Sequence, residues 1–249
     1  MKPNLLRPMV LCFSGHDPSG GAGVSADIES INANLAQPLT VVTALTSQNT
    51  AAVSDFKEVS SDWIIKQAMP VIEEFSNEIK AIKIGMLASK DNVETVLNIC
   101  QALPDVPVVL DPILKSGNGG LISADNIFSS LQNLAIYAKI ITPNLLEFES
   151  LRLSEISCQN VLLTMTDAGN EPTIKHKLSG KSDEHIFEYE RIDYNYHGSG
   201  CTLSSAIAAN LARQMPIVLA VKQALDYTWQ VLKQTPDNGH VQLIPMRQI

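Results

Sequence analysis

Short apolar runs alternate with amphipathic stretches along most of the chain. The apolar runs have the length and the Val, Ile and Leu content of buried strands, and they cover residues 9–15, 38–49, 81–87, 106–112, 138–144 and 160–166. Apolar residues at helical spacing predict helices over residues 24–35, 63–75, 91–103, 123–134, 145–153 and 217–233. Because strands and helices alternate, the pattern predicts an α/β fold with a mostly parallel central sheet and helices on both faces.

Local features add detail to this pattern. Residues 172–192 contain two strand-like runs around a polar Ser-Gly turn, which predicts an antiparallel hairpin at one edge of the sheet. Pro70 predicts a kink or a restart within the helix over residues 63–75. Residues 50–61 have a mixed character and predict no regular element. Since no repeat or obvious linker interrupts the pattern, residues 1–249 are expected to form a single domain.

Composition narrows the classes of function. The chain has 249 residues, 45% of them hydrophobic, and a formal net charge of −8 without a block of lysine or arginine. Such an acidic chain is a poor candidate for binding nucleic acid or a membrane surface. The four cysteines are far apart without metal-ligand spacing, and no signal sequence or long apolar span is evident. We therefore expect a cytoplasmic protein with reduced thiols.

A glycine-rich loop, HGSGCT at residues 197–202, leads directly into a helix-like run. The first turn of a helix has backbone N–H groups without partners, and Gly198 and Gly200 let a ligand approach them, so the loop predicts an anion site that includes Ser199. The same positive field is expected to lower the pKa of the Cys201 thiol. The alternative is a tight turn before a buried helix that carries a structural cysteine.

A second glycine-rich loop, HDPSGGAG at residues 16–23, joins the first strand to the first helix. It has neither the Lys-Ser/Thr pair of a Walker loop nor the GxGxxG spacing of a dinucleotide fingerprint. Its glycines would let a ligand come close to the backbone. Asp27, in the first turn of the following helix, can point back toward this loop. The alternative is a solvated acid that stabilises the N-terminus of its helix.

Small and polar residues collect at the carboxyl ends of the predicted parallel strands, where open α/β sheets bind ligands. These strand-end residues are Gly15, Gln48, Met86, Asp111, Asn144 and Thr164. Asn144 and Glu147 lie three residues apart at a strand–helix junction, and with Asp111 they could hold Mg²⁺ through oxygen ligands. The alternative is an Asn cap and a surface Glu. Backbone amides, a metal ion and a group for the acceptor hydroxyl are the parts that phosphoryl transfer requires.

Six motifs in this order resemble those of the hydroxymethylpyrimidine/phosphomethylpyrimidine kinase family of the ribokinase-like superfamily. They are residues 16–23 with Asp27, 43–50 (TALTSQNT), 83–87 (KIGML), 109–112 (VLDP), 142–147 (TPNLLE) and 197–203 (HGSGCTL). The resemblance implies a ribokinase-like fold and ATP-dependent phosphorylation of 4-amino-5-hydroxymethyl-2-methylpyrimidine, then of its monophosphate, in thiamine biosynthesis. With it we expect Mg²⁺ as cofactor, ATP as co-substrate and a homodimer.

The resemblance also implies roles for single residues. The substrate pocket would comprise Gly15, Asp27, Gln48, Met86 and Asp111, with Gln48 bonded to the aminopyrimidine. The anion hole would comprise Gly198, Ser199 and Gly200. Cys201 would stand where related sugar kinases have an Asp base. The metal network would comprise Asp111, Asn144 and Glu147, and the nucleotide would contact Asn144, Thr164, Gly198 and Gly200.

Two departures from the family pattern leave alternatives open. After the strand at 160–166 the family usually has Lys-Gly-Gly-His, whereas residues 164–167 read TMTD, so a cation that could meet the phosphates of ATP is absent there. A further helix that the family usually has is replaced by a short bridge at residues 154–159. The alternative functions are a pyridoxal (vitamin B6) kinase and a catalytically weak pyrimidine-binding sensor.

Overall fold

The computed structural model describes residues 7–114, 127–164 and 171–248. The beginning of the helix predicted over residues 123–134 and the departure at residues 165–167 lie outside these ranges. None of the helices within the described ranges is long and apolar enough to cross a membrane.

Strands and helices alternate through the described chain, as the hydrophobic pattern predicts. The strands are β1 (Met9–His16), β2 (Gln37–Gln48), β3 (Val53–Glu58), β4 (Ile79–Ile84), β5 (Val108–Leu110), β6 (Ile140–Ile141), β7 (Val161–Thr164), β8 (Thr173–Ser179) and β9 (Glu184–Glu190). The helices are α1 (Gly23–Ala33), α2 (Ser61–Phe75), α3 (Lys90–Gln101), α4 (Phe128–Tyr137), α5 (Leu145–Ser150), α6 (Ser199–Ala212) and α7 (Ile217–Gln234).

The strands form one sheet in the order β3-β2-β1-β4-β5-β6-β7-β8-β9. The six strands from β2 to β7 in this order are parallel to one another. β3 is antiparallel at one edge, and the β8–β9 hairpin is antiparallel at the other. The predicted α/β class, the parallel centre and the edge hairpin are therefore confirmed. The carboxyl ends of the parallel strands lie along one rim of the sheet.

Alternate residues of the central strands face two different cores, because side chains of a strand point to opposite faces in turn. In β1, Leu11 and Phe13 pack in the core that contains α2, α3 and α4. Val10 and Cys12 pack in the other core, against α1, α6 and α7. Strands that are buried on both faces need apolar residues at every position, which explains the continuous apolar runs in the sequence.

Helix α6 is the most buried helix of the described chain. Every residue from 201 to 212 is buried, so the helix has no solvated face. It packs across β1, β4 and β5, at the centre of the sheet. Its first turn therefore lies at the rim where those strands end.

Some local expectations differ from the structure. The segment of mixed character contains β3, whose burial pattern is largely exposed, so tertiary pairing with β2 decides its conformation. Pro70 lies inside an uninterrupted helix from Ser61 to Phe75, so no second helix restarts there. The short bridge at residues 154–159, where the family usually has a further helix, begins within a 3₁₀ turn at Leu153–Glu155 that follows α5, and Leu153 is buried in the core beside α4.

Candidate active site

A cavity of about 630 Å³ lies at the carboxyl ends of the parallel strands. Every site residue expected from the sequence lines this cavity, except Asp27. The lining set is Gly15, Gln48, Met86, Asp111, Asn144, Glu147, Thr164, Gly198, Ser199, Gly200 and Cys201. Residues from distant parts of the sequence thus meet in one place, because six parallel strands end at the same rim.

The loop at residues 197–202 forms the N-terminus of α6. Gly198 is the N-cap residue with φ +82°, and the first helical hydrogen bond runs from the Thr202 N–H to the Gly198 carbonyl at 2.9 Å. The amides of Ser199 and Gly200 belong to the first turn, whose N–H groups have no acceptor within the helix. An anion in the cavity would meet these donors and the positive end of the helix dipole.

The two glycine-rich loops pack against each other backbone to backbone. A Cβ on Gly198 would lie 2.0 Å from the Gly21 carbonyl oxygen, and a Cβ on Gly23 would lie 2.1 Å from the Gly15 carbonyl oxygen. A Cβ on Gly21 would lie 2.4 Å from the His197 ring. Gly21 and Gly23 of the first loop are therefore required for contact with protein, although Gly23 also borders the cavity.

Asp17 organises the first loop and ties it to the second. Its carboxylate accepts hydrogen bonds from the Ser19 and Ala22 amides at 2.8 and 2.7 Å, and it lies 2.8 Å from His197 Nε2. Burial alone would raise the pKa of Asp17, but the bonds from His197, Ser19 and Ala22 outweigh it and lower the pKa to about 2. Asp17 is therefore ionised at neutral pH.

Arg247 holds the same two loops from beneath. Its side chain is fully buried, and its guanidinium donates to the Gly21 carbonyl, to Thr202 Oγ1 at 2.8 Å and to Glu29 Oε2 at 3.1 Å. Thr202 Oγ1 in turn donates to the Gly198 carbonyl at 2.9 Å. One cation thus connects α1, both glycine-rich loops and the C-terminal segment. Sequence inspection missed this residue, since an isolated arginine far from every motif carries no local signal.

The structure corrects the expectation for Asp27. The side chain is neither solvated nor part of the cavity wall but is fully buried beneath it. Lys83 lies 2.8 Å from Asp27 Oδ1, and the hydroxyls of Ser14 and Ser205 donate to the same carboxylate. The reason is geometric: Asp27 is the fifth residue of α1, on the face that packs against β1 and α6, so it points into the protein.

Lys83 is the first residue of the KIGML motif, and the sequence predicted no function for it. Its ammonium group is fully buried and also donates to Ser14 Oγ at 3.1 Å. Burial opposes the charged form, but the nearby negative charge, chiefly Asp27, raises the pKa of Lys83 above its usual value. A charged amine therefore lies below the cavity floor, where β4 would otherwise present an apolar residue to α6.

The expected lowering of the Cys201 pKa is also corrected. Cys201 is 6% exposed, and burial, the largest influence, raises the pKa of its thiol to about 11. Lys83 and the Gly23 amide act in the opposite direction, while Asp111 and Asp27 raise the pKa further. Desolvation thus outweighs Lys83 and the Gly23 amide, and Cys201 is a thiol in the free protein at neutral pH. All four cysteines are free.

The expected metal residues line the cavity but form no closed cage. Asn144 and Glu147 make a capping box: Asn144 Oδ1 accepts from the Glu147 amide at 2.9 Å, and the Asn144 amide donates to Glu147 Oε2 at 3.0 Å. Asp111 is buried and accepts from Ser204 Oγ at 3.1 Å, and burial raises its pKa. Within the described residues, no group of three or more His, Cys, Asp or Glu could hold a metal by itself.

One end of the cavity is formed by β1, β2 and β4. A Cβ on Gly15 would lie 3.2 Å from the Met86 sulfur, so Met86 packs directly over this glycine. The Thr43 hydroxyl donates to the Met86 carbonyl and fixes the backbone there. Gln48, at the end of β2, adds a half-buried amide beside this apolar surface. The combination fits a flat ring with polar edges.

The opposite end is formed by the β8–β9 hairpin and α7, and sequence inspection missed it. Its lining includes Ile174, His176, Tyr189, Arg191 and Trp229. His176 packs edge-on against Tyr189 with ring centroids 5.9 Å apart, and burial lowers its pKa to about 4. Ile174 and His176 are two residues apart in a strand of the predicted hairpin, so the sequence could have placed them on the same face of the sheet. Only the tertiary structure shows that they line the cavity.

Comparisons with known proteins agree with this geometry. The sequence profile of the family described as phosphomethylpyrimidine kinase matches residues 17–246. The hydroxymethylpyrimidine/phosphomethylpyrimidine kinase of Streptomyces coelicolor is 31% identical over 244 residues, which cover 90% of this chain and 88% of that protein.

Solved structures share the fold. The phosphomethylpyrimidine kinase of Clostridium difficile superposes with a TM-score of 0.78 at 27% identity, over 91% of this chain and 100% of that one. The pyridoxal kinase of Staphylococcus aureus in complex with AMP-PCP and pyridoxal has a TM-score of 0.86 at 21% identity, over 97% and 94%. The ribokinase-like fold is thereby confirmed. The chain belongs to the phosphomethylpyrimidine kinase family and is a kinase.

Proposed function

We propose that the protein transfers the γ-phosphoryl group of ATP to the hydroxymethyl group of 4-amino-5-hydroxymethyl-2-methylpyrimidine, and then to the phosphate of the monophosphate. The observation that carries this proposal is the single cavity with the amides of Ser199 and Gly200 between two unlike ends. One end has the polar amide and apolar surface that suit a small ring. The other has aromatic residues and the arginine Arg191, which suit a nucleotide.

The pyrimidine is proposed to bind against Met86 and Gly15, with Gln48 at its edge. A glutamine amide has both donor and acceptor atoms, so it can pair with a ring nitrogen and an exocyclic amino group. Met86 offers a polarizable apolar surface for the ring face. Asp27 is proposed to support this end from below, through Ser14 and Lys83, rather than to contact the substrate.

The phosphates are proposed to bind at the N-terminus of α6, with Asn144 and Thr164 beside them. Mg²⁺ commonly binds one or two carboxylates together with substrate phosphates and water, and the carboxylates of Asp111 and Glu147 fit that mode. When bound, the ion would neutralise charge that develops on the transferred phosphoryl group. Asn144 would hold the α5 N-terminus, and with it Glu147, in position through the capping box.

Cys201 is proposed to take the proton of the acceptor hydroxyl as phosphoryl transfer proceeds. Because its pKa is about 11 in the free protein, only a small thiolate fraction exists at neutral pH. The value of kcat/KM should therefore rise about tenfold per pH unit between pH 7 and 9, since a base must be deprotonated to act. Cys201→Ala should flatten this rise while the Kd for the pyrimidine stays within about twofold. A steep rise retained by the variant would contradict the proposed role.

A coupled ADP-release assay tests the function directly. Hydroxymethylpyrimidine, its monophosphate and pyridoxal are compared side by side with ATP and Mg²⁺. We expect turnover of both pyrimidines, with kcat/KM for the free pyrimidine above that for pyridoxal. Gln48→Ala should raise KM for the pyrimidine about tenfold, the cost of one lost hydrogen-bonding partner.

Two other functions have specific support. The TM-score of 0.86 to a pyridoxal kinase means that this fold can accommodate pyridoxal, and a higher kcat/KM for pyridoxal would establish that kinase instead. The TMTD sequence at residues 164–167 favours a sensor that binds the pyrimidine without turnover. Calorimetric binding of the pyrimidine together with no ADP release would support the sensor.

We also propose that the enzyme acts in the cytoplasm as a homodimer in thiamine biosynthesis. The free cysteines suit a reducing compartment. Light scattering coupled to size exclusion measures the oligomeric state, and a mass near the 27.1 kDa of one chain would contradict the dimer.

A further inference from the structure

The described lining of the cavity contains little positive charge for a protein that is proposed to bind a triphosphate. Among the described residues that line it, Asp111, Glu147 and Asp193 carry carboxylates, and Arg191 is the only arginine or lysine. The chain as a whole has a net charge of −8, so no general positive field attracts an anion. Lys83 is fully buried against Asp27 and does not line the cavity.

The sheet topology brings Arg191 to the correct rim. β8 is antiparallel to both β7 and β9, so β9 runs in the same direction as β7. β9 ends at Glu190, and Arg191 therefore follows it at the edge where Thr164 ends β7. The register places Thr164 level with Phe187, so β9 extends three residues, roughly 10 Å, beyond the end of β7, and two strand spacings, about 10 Å, separate the two strands sideways. Arg191 therefore lies at the outer edge of this rim, and its long side chain lines the cavity from there.

Local hydrogen bonds fix the orientation of Arg191. Its amide donates to the Pro172 carbonyl at 2.9 Å, and its Nε donates to the Glu171 carbonyl at 2.7 Å. A guanidinium has five N–H donors in a planar fork that matches two oxygens of a phosphate. The bond from Nε restricts the orientation of this fork while Arg191 borders the cavity. Little side-chain freedom would be lost when an anion binds.

We propose that Arg191 binds the phosphate groups of the nucleotide, from the side of the cavity opposite the first turn of α6. The inference rests on the proposed function for the identity of the anion, and it names a cation for the phosphates that no motif of the sequence indicates. The α6 amides would contact the phosphates from one side and the guanidinium from the other. A charge-assisted pair of this kind is stronger than a bond between neutral groups.

Calorimetry with ATP and Mg²⁺ tests the proposal on three variants of the full chain. Arg191→Gln should weaken ATP binding about 10- to 100-fold, the range for a lost hydrogen bond to a charged group. Arg191→Lys should retain part of the affinity, because it keeps the charge but loses the fork. Arg213→Gln is the matched control: it removes the same charge at the far end of α6, roughly 20 Å from the first turn. It should leave the Kd for ATP within about twofold.

A purely structural role for Arg191 predicts a different result. In that case the bond to Glu171 only holds the hairpin end, and Arg191→Gln would lower Tm and weaken the binding of the pyrimidine and of ATP alike. An unchanged Kd for ATP, or an equal weakening of both ligands, would overturn the proposal. The outcome is separable from the function itself: wild-type protein that binds ATP through Arg191 but releases no ADP would refute only the kinase reaction. Normal turnover with an ATP affinity insensitive to Arg191 would refute only this inference.

Discussion

The two glycine-rich loops look alike in the sequence but have different roles in the structure. Each precedes a helix, α1 or α6, at the same rim of the sheet. In the first loop, a Cβ on Gly21 or Gly23 would overlap atoms of the protein. In the second, Gly198 packs against the first loop, but a Cβ on Gly200 would meet nothing closer than Asp111 at 3.8 Å. The first loop is thus a support, and the second presents amides to the cavity.

The difference teaches that glycine content alone does not identify a ligand-binding loop. A glycine is required where another backbone comes close, whether that backbone belongs to the protein or faces a ligand. The two loops also depend on each other, through Asp17 with His197 and through Arg247. Substitutions in the first loop should therefore lower the stability of the protein, whereas a substitution at the cavity-facing amides of the second loop should change nucleotide binding.

The largest effect is expected for Gly23→Ala. The new Cβ would lie 2.1 Å from the Gly15 carbonyl, at a residue with φ +57°. Left-handed strain and overpacking together should cost about 5 kcal/mol in the free energy of unfolding, measured with urea. Gly20→Ala is the control, because its φ of +76° is also left-handed but nothing lies within 4 Å. It should cost only about 1–2 kcal/mol. Equal losses for the two variants would rule out the packing role.

A slightly smaller loss of unfolding free energy is expected for Lys83→Met, which removes the buried charge paired with Asp27 of α1. Asp27 of α1 also accepts from Ser205 of α6, and without Lys83 its buried charge has no counter-ion. The loss should be about 3–4 kcal/mol, again from urea unfolding. Adding Asp27→Asn should restore most of it, since the uncompensated charge disappears. A double variant as unstable as Lys83→Met alone would argue against the ion pair.

The bond between the loops should appear as a pH dependence of stability. The pKa of Asp17 is about 2 in the folded protein, below the value of 3.8 expected when it is exposed. A lowered folded pKa means that the stabilisation is present above about pH 4 and is lost as the pH falls toward 2. Asp17→Asn should lower the stability at pH 7 by about 1–2 kcal/mol and reduce the acid decline of Tm. Parallel Tm curves for both proteins below pH 4 would contradict this.

The smallest change in stability is expected for Gly200→Ala. The position is helical and the Cβ has ordinary contact distances, so stability should stay equal or rise by up to about 1 kcal/mol. The methyl group would nevertheless stand on the cavity wall near Asp111. We expect KM for ATP to rise several-fold, measured by ADP release, while Tm does not fall. A lower Tm with an unchanged KM would reverse the assignment of the two loops.

Sequence reasoning predicted the fold well where each residue's neighbours along the chain define its surroundings. The apolar runs located the parallel strands, since strands buried on both faces must be apolar throughout. The edge hairpin was equally predictable, because a polar Ser-Gly turn separates its two strand-like runs. β3 was missed, because its exposed, mixed residues form a strand only through pairing with β2. A local pattern contains no information about such a partner.

The convergence of the site was predictable for the same reason. Gln48 ends a parallel strand, Asp111 and Asn144 each follow one, and parallel strands end at one rim. What each residue does there was less accessible. Asp27 was expected at the pocket wall and lies beneath it, paired with Lys83. Cys201 was expected to have a lowered pKa, but its burial raises the pKa instead.

The sequence by itself therefore determined the order of the elements, the sheet class and the residues that end the parallel strands at the rim, because the hydrophobic periodicity that marks each strand and its ends is a local property. Only the tertiary structure decided burial, ion pairing and the joining of distant segments. Lys83 with Asp27, Arg247 with the two loops, and Arg191 at the end of β9 are contacts between residues remote in the chain. Their energies depend on desolvation and on distances between atoms that are fixed only when the chain has folded.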